Sequence, residues 1–134
     1  MTVSISRESL EHIMHLAAIA GAREVCGLLL GGDGRIEEIR PAANVAADPV
    51  RHFELDPAAL IAAHRAARAG GPAVIGHYHS HPGGIAAPSA IDAACAVPDG
   101  SLWLIVAGGD ARLWIAGPGE GGQPHFTEAA LDIM

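Results

Sequence analysis

Basic residues are scarce in this sequence, and their scarcity limits what the protein can bind. Eight Lys and Arg stand against fifteen Asp and Glu, which gives a formal net charge of −7 at pH 7. A phosphate backbone is bound mainly through cationic contacts, so a chain with this acidic balance repels it. The composition therefore predicts no nucleic acid partner.

Cysteines and long apolar runs are also few. Cys26 and Cys95 are the only cysteines, and they lack C-x-x-C spacing, so neither a disulfide framework nor a cysteine-rich zinc site is indicated. We expect both to be buried thiols. The first residues show no basic stretch followed by an apolar run, and no segment reaches the roughly 18 apolar residues of a membrane span. These absences predict a soluble cytoplasmic protein without a membrane partner.

The remaining composition is typical of a globular protein, with 134 residues of which 50% are apolar. This size and apolar content predict one domain over residues 1–134 with a sizeable core. Hydrophobic periodicity predicts strands at 2–5, 24–32, 35–41, 72–81, 101–108 and 111–117, and a brief strand before Asp56. Helix caps and the helical period predict three helices: one that begins after Ser6, one from Asp56 to Ala69, and one over 89–96. Residues 123–131 give a weaker signal. The alternation predicts an α/β protein, with a mixed β-sheet packed against helices.

Residues 76–92, GHYHSHPGGIAAPSAID, carry three histidines at alternate positions of a predicted strand. Because successive strand residues face opposite sides, His77, His79 and His81 share one face, and two neighbours can bind one ion. A hydrolytic zinc site holds three protein ligands and leaves the fourth position to water, and Asp92 is a candidate third ligand. Spacing alone does not choose between the His77/His79 and His79/His81 pairs.

A simpler interpretation needs no metal. Strand histidines are usually satisfied or solvent-facing, and Ser89 with Asp92 has the S-x-x-D spacing of a helix capping box. Other catalytic patterns are missing: there is no H-E-x-x-H, no P-C-x-x-C to accompany a deaminase H-x-E, and no G-x-S-x-G elbow. Cys26 lies in an apolar strand, which argues against a thiol of lowered pKa.

Two segments together resemble the JAMM (MPN-plus, Mov34/PAD-1) metallopeptidases: EVCGLLLG at 24–31, and the histidine segment at 76–92. The family signature is a distant Glu, then H-x-H, ten residues and Asp, with S-x-x-D at its end. The resemblance is close over residues 24–92 and holds in outline elsewhere. It implies the JAMM/MPN architecture, which is cytidine-deaminase-like, in its compact prokaryotic form.

The resemblance also implies a role for each matching position. Glu24 matches the catalytic acid/base and Ser89 the contact to the oxyanion. The positions that match the ligands of the Zn²⁺ cofactor are His79, His81 and Asp92. His77 matches no functional position of the family and receives no role.

The substrate follows from the same resemblance. Relatives hydrolyse peptide or isopeptide bonds after the Gly-Gly tail of ubiquitin or ubiquitin-like proteins, and small prokaryotic ones are similar to enzymes that act on sulfur-carrier proteins. The implied function is a zinc peptidase or isopeptidase for such a tail. Two alternatives remain open: a non-catalytic MPN-type binding scaffold, and a RadC-like protein whose P-S-x-x-D ending is similar.

Overall fold

The computed structural model describes all of residues 1–134, which form seven strands and three α-helices. The strands are β1 (Thr2–Ile5), β2 (Cys26–Gly32), β3 (Arg35–Ala42), β4 (Ala73–Ser80), β5 (Leu102–Ala107), β6 (Asp110–Pro118) and β7 (Pro124–Ile133). The helices are α1 (Arg7–Ala20), α2 (Pro57–Arg68) and α3 (Ala90–Cys95), with one 3₁₀ turn at Glu120–Gly122. None of the helices has the length and apolar character needed to cross a membrane.

The seven strands close into one barrel in the order β1-β3-β2-β4-β5-β6-β7. Pairing is parallel between β4 and β5 and on both sides of β1, and antiparallel elsewhere. The predicted mixed sheet packed against helices is thus present, and it is closed. Residues 123–131, where the sequence signal was weak, contribute most of β7, which pairs with both β6 and β1.

Strand β2 is buried on both faces, as its uninterrupted apolar run predicts. Leu29 faces the main core, whereas Leu28 and Leu30 pack against Ala63 of α2 on the opposite side. Helix α1 inserts Ile13 into the main core. The members of that core are Val3, Ile5, Ile13, Leu29, Ile36, Tyr78, Leu102, Leu104, Val106, Leu113 and Ala129. The two helices therefore cover opposite sides of the central strands.

Two expectations about local structure are wrong. The brief strand before Asp56 is reduced to an isolated antiparallel bridge between Asn44 and Leu55, flanked by one backbone bond on each side. The pairing extends no further because the Asn44 side chain takes up backbone groups at positions 46, 52 and 54. Cys95 is exposed, because the six-residue helix α3 buries only one face, at Asp92; Cys26 is buried as expected, and both cysteines are free.

Candidate metal centre

The outward face of β4 supplies two neighbouring histidines near its carboxyl end. His79 pairs across the sheet with Cys26 of β2 and with Ile105 of β5, and its side chain is 0% exposed. His81 follows the strand by one residue and remains on the same side. The Nε2 atoms of the two histidines lie 3.0 Å apart, which is the proximity that alternate strand positions predict.

The loop at 82–88 turns the chain so that the first turn of α3 lies against these histidines. Asp92 Oδ2 is 3.2 Å from His79 Nε2 and 3.0 Å from His81 Nε2. Two bonds anchor the loop: Trp114 Nε1 donates to the Ala86 carbonyl at 3.0 Å, and His81 Nδ1 lies 2.8 Å from the Ile85 carbonyl. The structure thereby joins Asp92 to the His79/His81 pair.

Ser89 and Asp92 also form a complete capping box. The Asp92 N–H donates to Ser89 Oγ at 3.0 Å, and the Ser89 N–H donates to Asp92 Oδ2 at 2.9 Å. The same carboxylate oxygen therefore caps the helix and faces both histidines. The capping and metal interpretations of this spacing are compatible, because the cap holds the carboxylate where the histidines converge.

Glu24 lies near the two histidines, two residues before β2. It is only 6% exposed, and its Oε1 has no hydrogen-bond partner although it is buried. Glu24, His79 and His81 each offer a ligand atom within a cluster of 4.8 Å. Two candidate ligand sets therefore share the histidines, one completed by Glu24 and one by Asp92; the shorter contacts of Asp92 favour the second.

The backbone around Glu24 is fixed by two residues that the sequence did not single out. Ser80, between the two histidines, accepts the Val25 N–H on its Oγ at 2.9 Å and donates its own N–H to the Val25 carbonyl at 3.0 Å. Asn44 donates from Nδ2 to the Glu24 carbonyl at 2.9 Å. The position of Ser80 between two candidate ligands is a sequence signal that could have indicated its structural role. Asn44, an isolated asparagine in a loop, gives no such signal.

Gly27, three residues after Glu24, lies where two strands approach too closely for a side chain. It pairs with Tyr78 across β2 and β4, and a Cβ atom at Gly27 would collide with the Tyr78 ring. A larger residue would push the two strands apart. Since Glu24 precedes one strand and His79 lies on the other, Gly27 indirectly sets the distance between them.

The charges of the cluster are shaped by burial and by mutual contacts. Burial raises the pKa of Glu24 to about 7, with a further increase from Asp92 and an opposing effect of His81. Burial lowers the pKa of His79 despite its contact with Asp92. Burial opposes ionisation of His81, but its contacts with Asp92 and with the Ile85 carbonyl together outweigh burial and raise its pKa. Burial also opposes ionisation of Asp92, but its hydrogen bonds with His79, His81 and the Ser89 backbone together lower its pKa.

The donor atoms of this cluster fit a zinc ion. Two imidazole nitrogens and a carboxylate oxygen are among the ligands that zinc takes in hydrolytic sites. Their separations of 3.0–3.2 Å are close to the roughly 3.3 Å between two ligands each about 2.0–2.1 Å from a tetrahedral ion. Three lone-pair-bearing atoms that converge in a buried site need a shared proton or cation, and the unpartnered Glu24 Oε1 beside them adds a fourth acceptor.

Aromatic rings pack against His79 on the side of His77. Phe53 stacks on His79 with ring centroids 4.3 Å apart, and His77 stacks on His79 at 5.3 Å. Trp103 meets His77 edge-on at 4.4 Å. His77 and His79 also contact through polar atoms, Nε2 to Nδ1, at 3.2 Å. Burial, with a contribution from His79, lowers the pKa of His77 to about 3.

Cys26 is not activated for nucleophilic chemistry. Burial raises its pKa to about 12, and Glu24 adds to the shift. At pH 8 the native protein should therefore react with iodoacetamide at the exposed Cys95 and not at Cys26, because the thiolate is the reactive form. Peptide mass spectrometry after a short labelling reads the two sites separately, with denatured protein as the control. Preferential labelling of Cys26 in folded protein would contradict this assignment.

Comparison with known sequences gives one family and several related proteins. Residues 6–116 match the family described as prokaryotic homologs of the JAB domain. A desampylase of Haloferax volcanii is 39% identical over 98 residues, which cover 72% of this chain and 70% of the relative. A desampylase of Pyrococcus furiosus is 31% identical over 115 residues, which cover 85% of this chain and 81% of the relative.

Solved structures show the same architecture. The solution structure of a Desulfitobacterium hafniense protein superposes with a TM-score of 0.83 at 27% identity, covering 99% of this chain and 93% of the other. A structure described as JAMM, a metalloprotease-like zinc site in the proteasome and signalosome, superposes with a TM-score of 0.58 at 21% identity. That likeness covers 100% of this chain and 99% of the other, and concerns the fold.

Proposed function

Because the chain belongs to the prokaryotic JAB family, a branch of the JAMM/MPN proteins, we propose that it is a zinc-dependent hydrolase of Gly-Gly-tailed proteins. The family predicted from the sequence, its mixed α/β architecture and the class of JAMM-type isopeptidase hydrolase are confirmed. One observation carries the finer proposal: two histidines and a carboxylate converge within 3.0–3.2 Å, with a second, buried carboxylate beside them.

In this proposal His79, His81 and Asp92 hold the zinc ion. When bound, the ion supplies Lewis acidity, which polarises the scissile carbonyl and makes a nearby water more acidic. Asp92 is preferred to Glu24 as the third ligand because its oxygen is the closer one and is held in place by the capping box. Glu24 is then left free for proton transfer.

Glu24 is the proposed general base and acid. Its buried Oε1 has no partner in the protein, so a lone pair is available to accept the proton of the attacking water. The carboxyl can then give that proton to the leaving amine. The bonds from Ser80 and Asn44 hold the adjacent backbone, which keeps the carboxylate within reach during both transfers.

Ser89 is the proposed donor to the oxyanion. Its Oγ already accepts the Asp92 N–H, and a hydroxyl that accepts one bond still has its own proton to donate. The capping box fixes the position of this oxygen at the edge of the site. One such preorganised donor typically contributes roughly 10²–10³ in rate.

The proposed substrate is a ubiquitin-like or sulfur-carrier protein, cut after its terminal Gly-Gly. The name desampylase, carried by both relatives, denotes removal of a ubiquitin-like modifier. A tail of glycines suits a narrow cleft, because it presents no side chains and can be held through its main chain. The scaffold alternative is disfavoured, since every candidate position is filled and the ligand set is assembled.

Tail specificity provides a test of this proposal. Changing the penultimate glycine of a carrier tail to valine should reduce kcat/KM by at least about tenfold, because a branched side chain must enter a channel shaped for glycine. Matched carrier fusions that differ only at this residue can be compared by gel or mass spectrometry. Equal rates for both tails would indicate a broad peptidase and would contradict the proposed specificity.

A further inference from the structure

The two ring nitrogens of His79 face different partners. Nε2 lies among the proposed ligand atoms, 3.2 Å from Asp92 Oδ2 and 3.0 Å from His81 Nε2. Nδ1 lies 3.2 Å from Nε2 of His77. Since the His79 side chain is 0% exposed, solvent cannot replace His77 as the partner of Nδ1. His77 is therefore the hydrogen-bond partner available to Nδ1 of His79.

A neutral imidazole carries one proton, and its place decides which nitrogen can bind a metal. For Nε2 of His79 to bind an ion, its proton must be on Nδ1, and a buried N–H requires an acceptor. Nε2 of His77, 3.2 Å from this nitrogen, is placed to accept the bond. His81 has the equivalent arrangement, because its Nδ1 lies 2.8 Å from the Ile85 carbonyl.

We propose that His77 is a positioning residue of the metal centre, whose Nε2 accepts the Nδ1–H of His79 and thereby presents His79 Nε2 to the ion. The inference rests on the proposed zinc function. It assigns a role to the one histidine of this segment that matches no functional position of the family. Outer partners of this kind orient a ligand ring and increase its basicity.

The surroundings of His77 suit this role. Trp103 meets its ring edge-on at 4.4 Å and Phe53 lies at 4.9 Å, so the ring has little freedom to turn away from His79. The acceptor role places the proton of His77 on its own Nδ1. His77 also lines a cavity of about 540 Å³, together with Leu60 and His64 of α2. A chain of polar contacts thus runs from Asp92 through His79 to His77, which lies outside the proposed ligand set.

Zinc affinity tests the proposal without reference to activity. Competition with a chromogenic chelator gives the Kd for zinc of the unmodified protein, His77→Phe, His77→Gln and, as a control lining the same cavity, His64→Gln. Loss of the acceptor in His77→Phe should weaken zinc binding by about 10–100-fold. His77→Gln, whose amide oxygen can accept the bond, should recover most of that loss, and the control should bind as the unmodified protein does. Equal Kd values for folded His77→Phe and unmodified protein would overturn the inference and leave the zinc site standing.

Nitrogen NMR of the unmodified protein tests the proton's position directly. In zinc-loaded, ¹⁵N-labelled protein, His79 should be protonated at Nδ1 and His77 at Nδ1, with the Nε2 of His77 showing the shift of an acceptor. A His77 protonated at Nε2 would overturn the inference even if a variant fails to fold. Absence of zinc uptake by the unmodified protein would instead refute the proposed function, and this inference with it.

Discussion

Replacing Glu24→Gln should lower turnover by roughly 10²–10⁴ while leaving the zinc content and the fold unchanged. The substitution keeps the size of the side chain and removes its ability to take a proton. Glu24 is buried, and its Oε1 bonds to no protein group, so the change breaks no hydrogen bond of that atom. The loss would therefore report the proton-transfer step rather than a structural defect.

The measurement is kcat on a carrier fusion that the unmodified protein cleaves, with zinc content and melting temperature determined for each variant. Glu37→Gln provides a matched control, because Glu37 is exposed on β3, away from the histidines. Near-normal turnover by zinc-loaded Glu24→Gln would refute the assigned role, even if every proposed ligand proved correct. A binding scaffold would bind its partner in both forms and cleave in neither.

Replacing His81→Ala should abolish zinc retention, from about one ion per chain to almost none after dialysis, because two ligands rarely suffice for a hydrolytic zinc site. His81 is a suitable position, since its side chain is 11% exposed and not deep in the core. His12→Ala, at an exposed position of α1, is the matched control and should retain the ion. Elemental analysis after zinc-supplemented expression decides the outcome, and full zinc content in His81→Ala would show that another ligand set is used.

Asp92→Asn separates the two tasks of this carboxylate. The amide oxygen can still accept the Ser89 N–H that Asp92 Oδ2 accepts now, so the helix cap should survive with little change in stability. The charge that faces both histidines is lost, and zinc retention should fall with it. Asp92→Ala should lose the ion and the cap together.

Local periodicity was sufficient to predict the local geometry of the histidine segment, whereas the roles of the site residues came from the family resemblance. The strand period places His79 and His81 on one face, and the helix-start spacing places Asp92 beside Ser89; the structure has both features. The choice of histidine pair came from the family resemblance, because spacing treats His77 and His81 alike. The physical reason appears only in three dimensions: the loop at 82–88 carries Asp92 back to the end of β4, next to His81 and beyond the reach of His77.

Long-range pairing accounts for what the sequence could not supply. Glu24 reaches the histidines because β2 pairs with β4, and no local pattern encodes that contact between distant segments. Strand β7 has a mostly exposed, irregular burial pattern, so its periodicity was weak; its two strand neighbours define it. Asn44 and Phe53 lie in a loop without regular structure, where sequence gives little indication of tertiary partners.

The most direct test of the central proposal is cleavage of a Gly-Gly-tailed carrier fusion before chelation, after chelation and after zinc is restored. We expect cleavage immediately after the second glycine, loss of activity as zinc is removed, and recovery with about one equivalent of zinc per chain. Mass spectrometry of the released carrier identifies the bond, and elemental analysis of the same samples follows the metal. Cleavage that continues at an undiminished rate in protein shown to be free of metal would contradict the proposal.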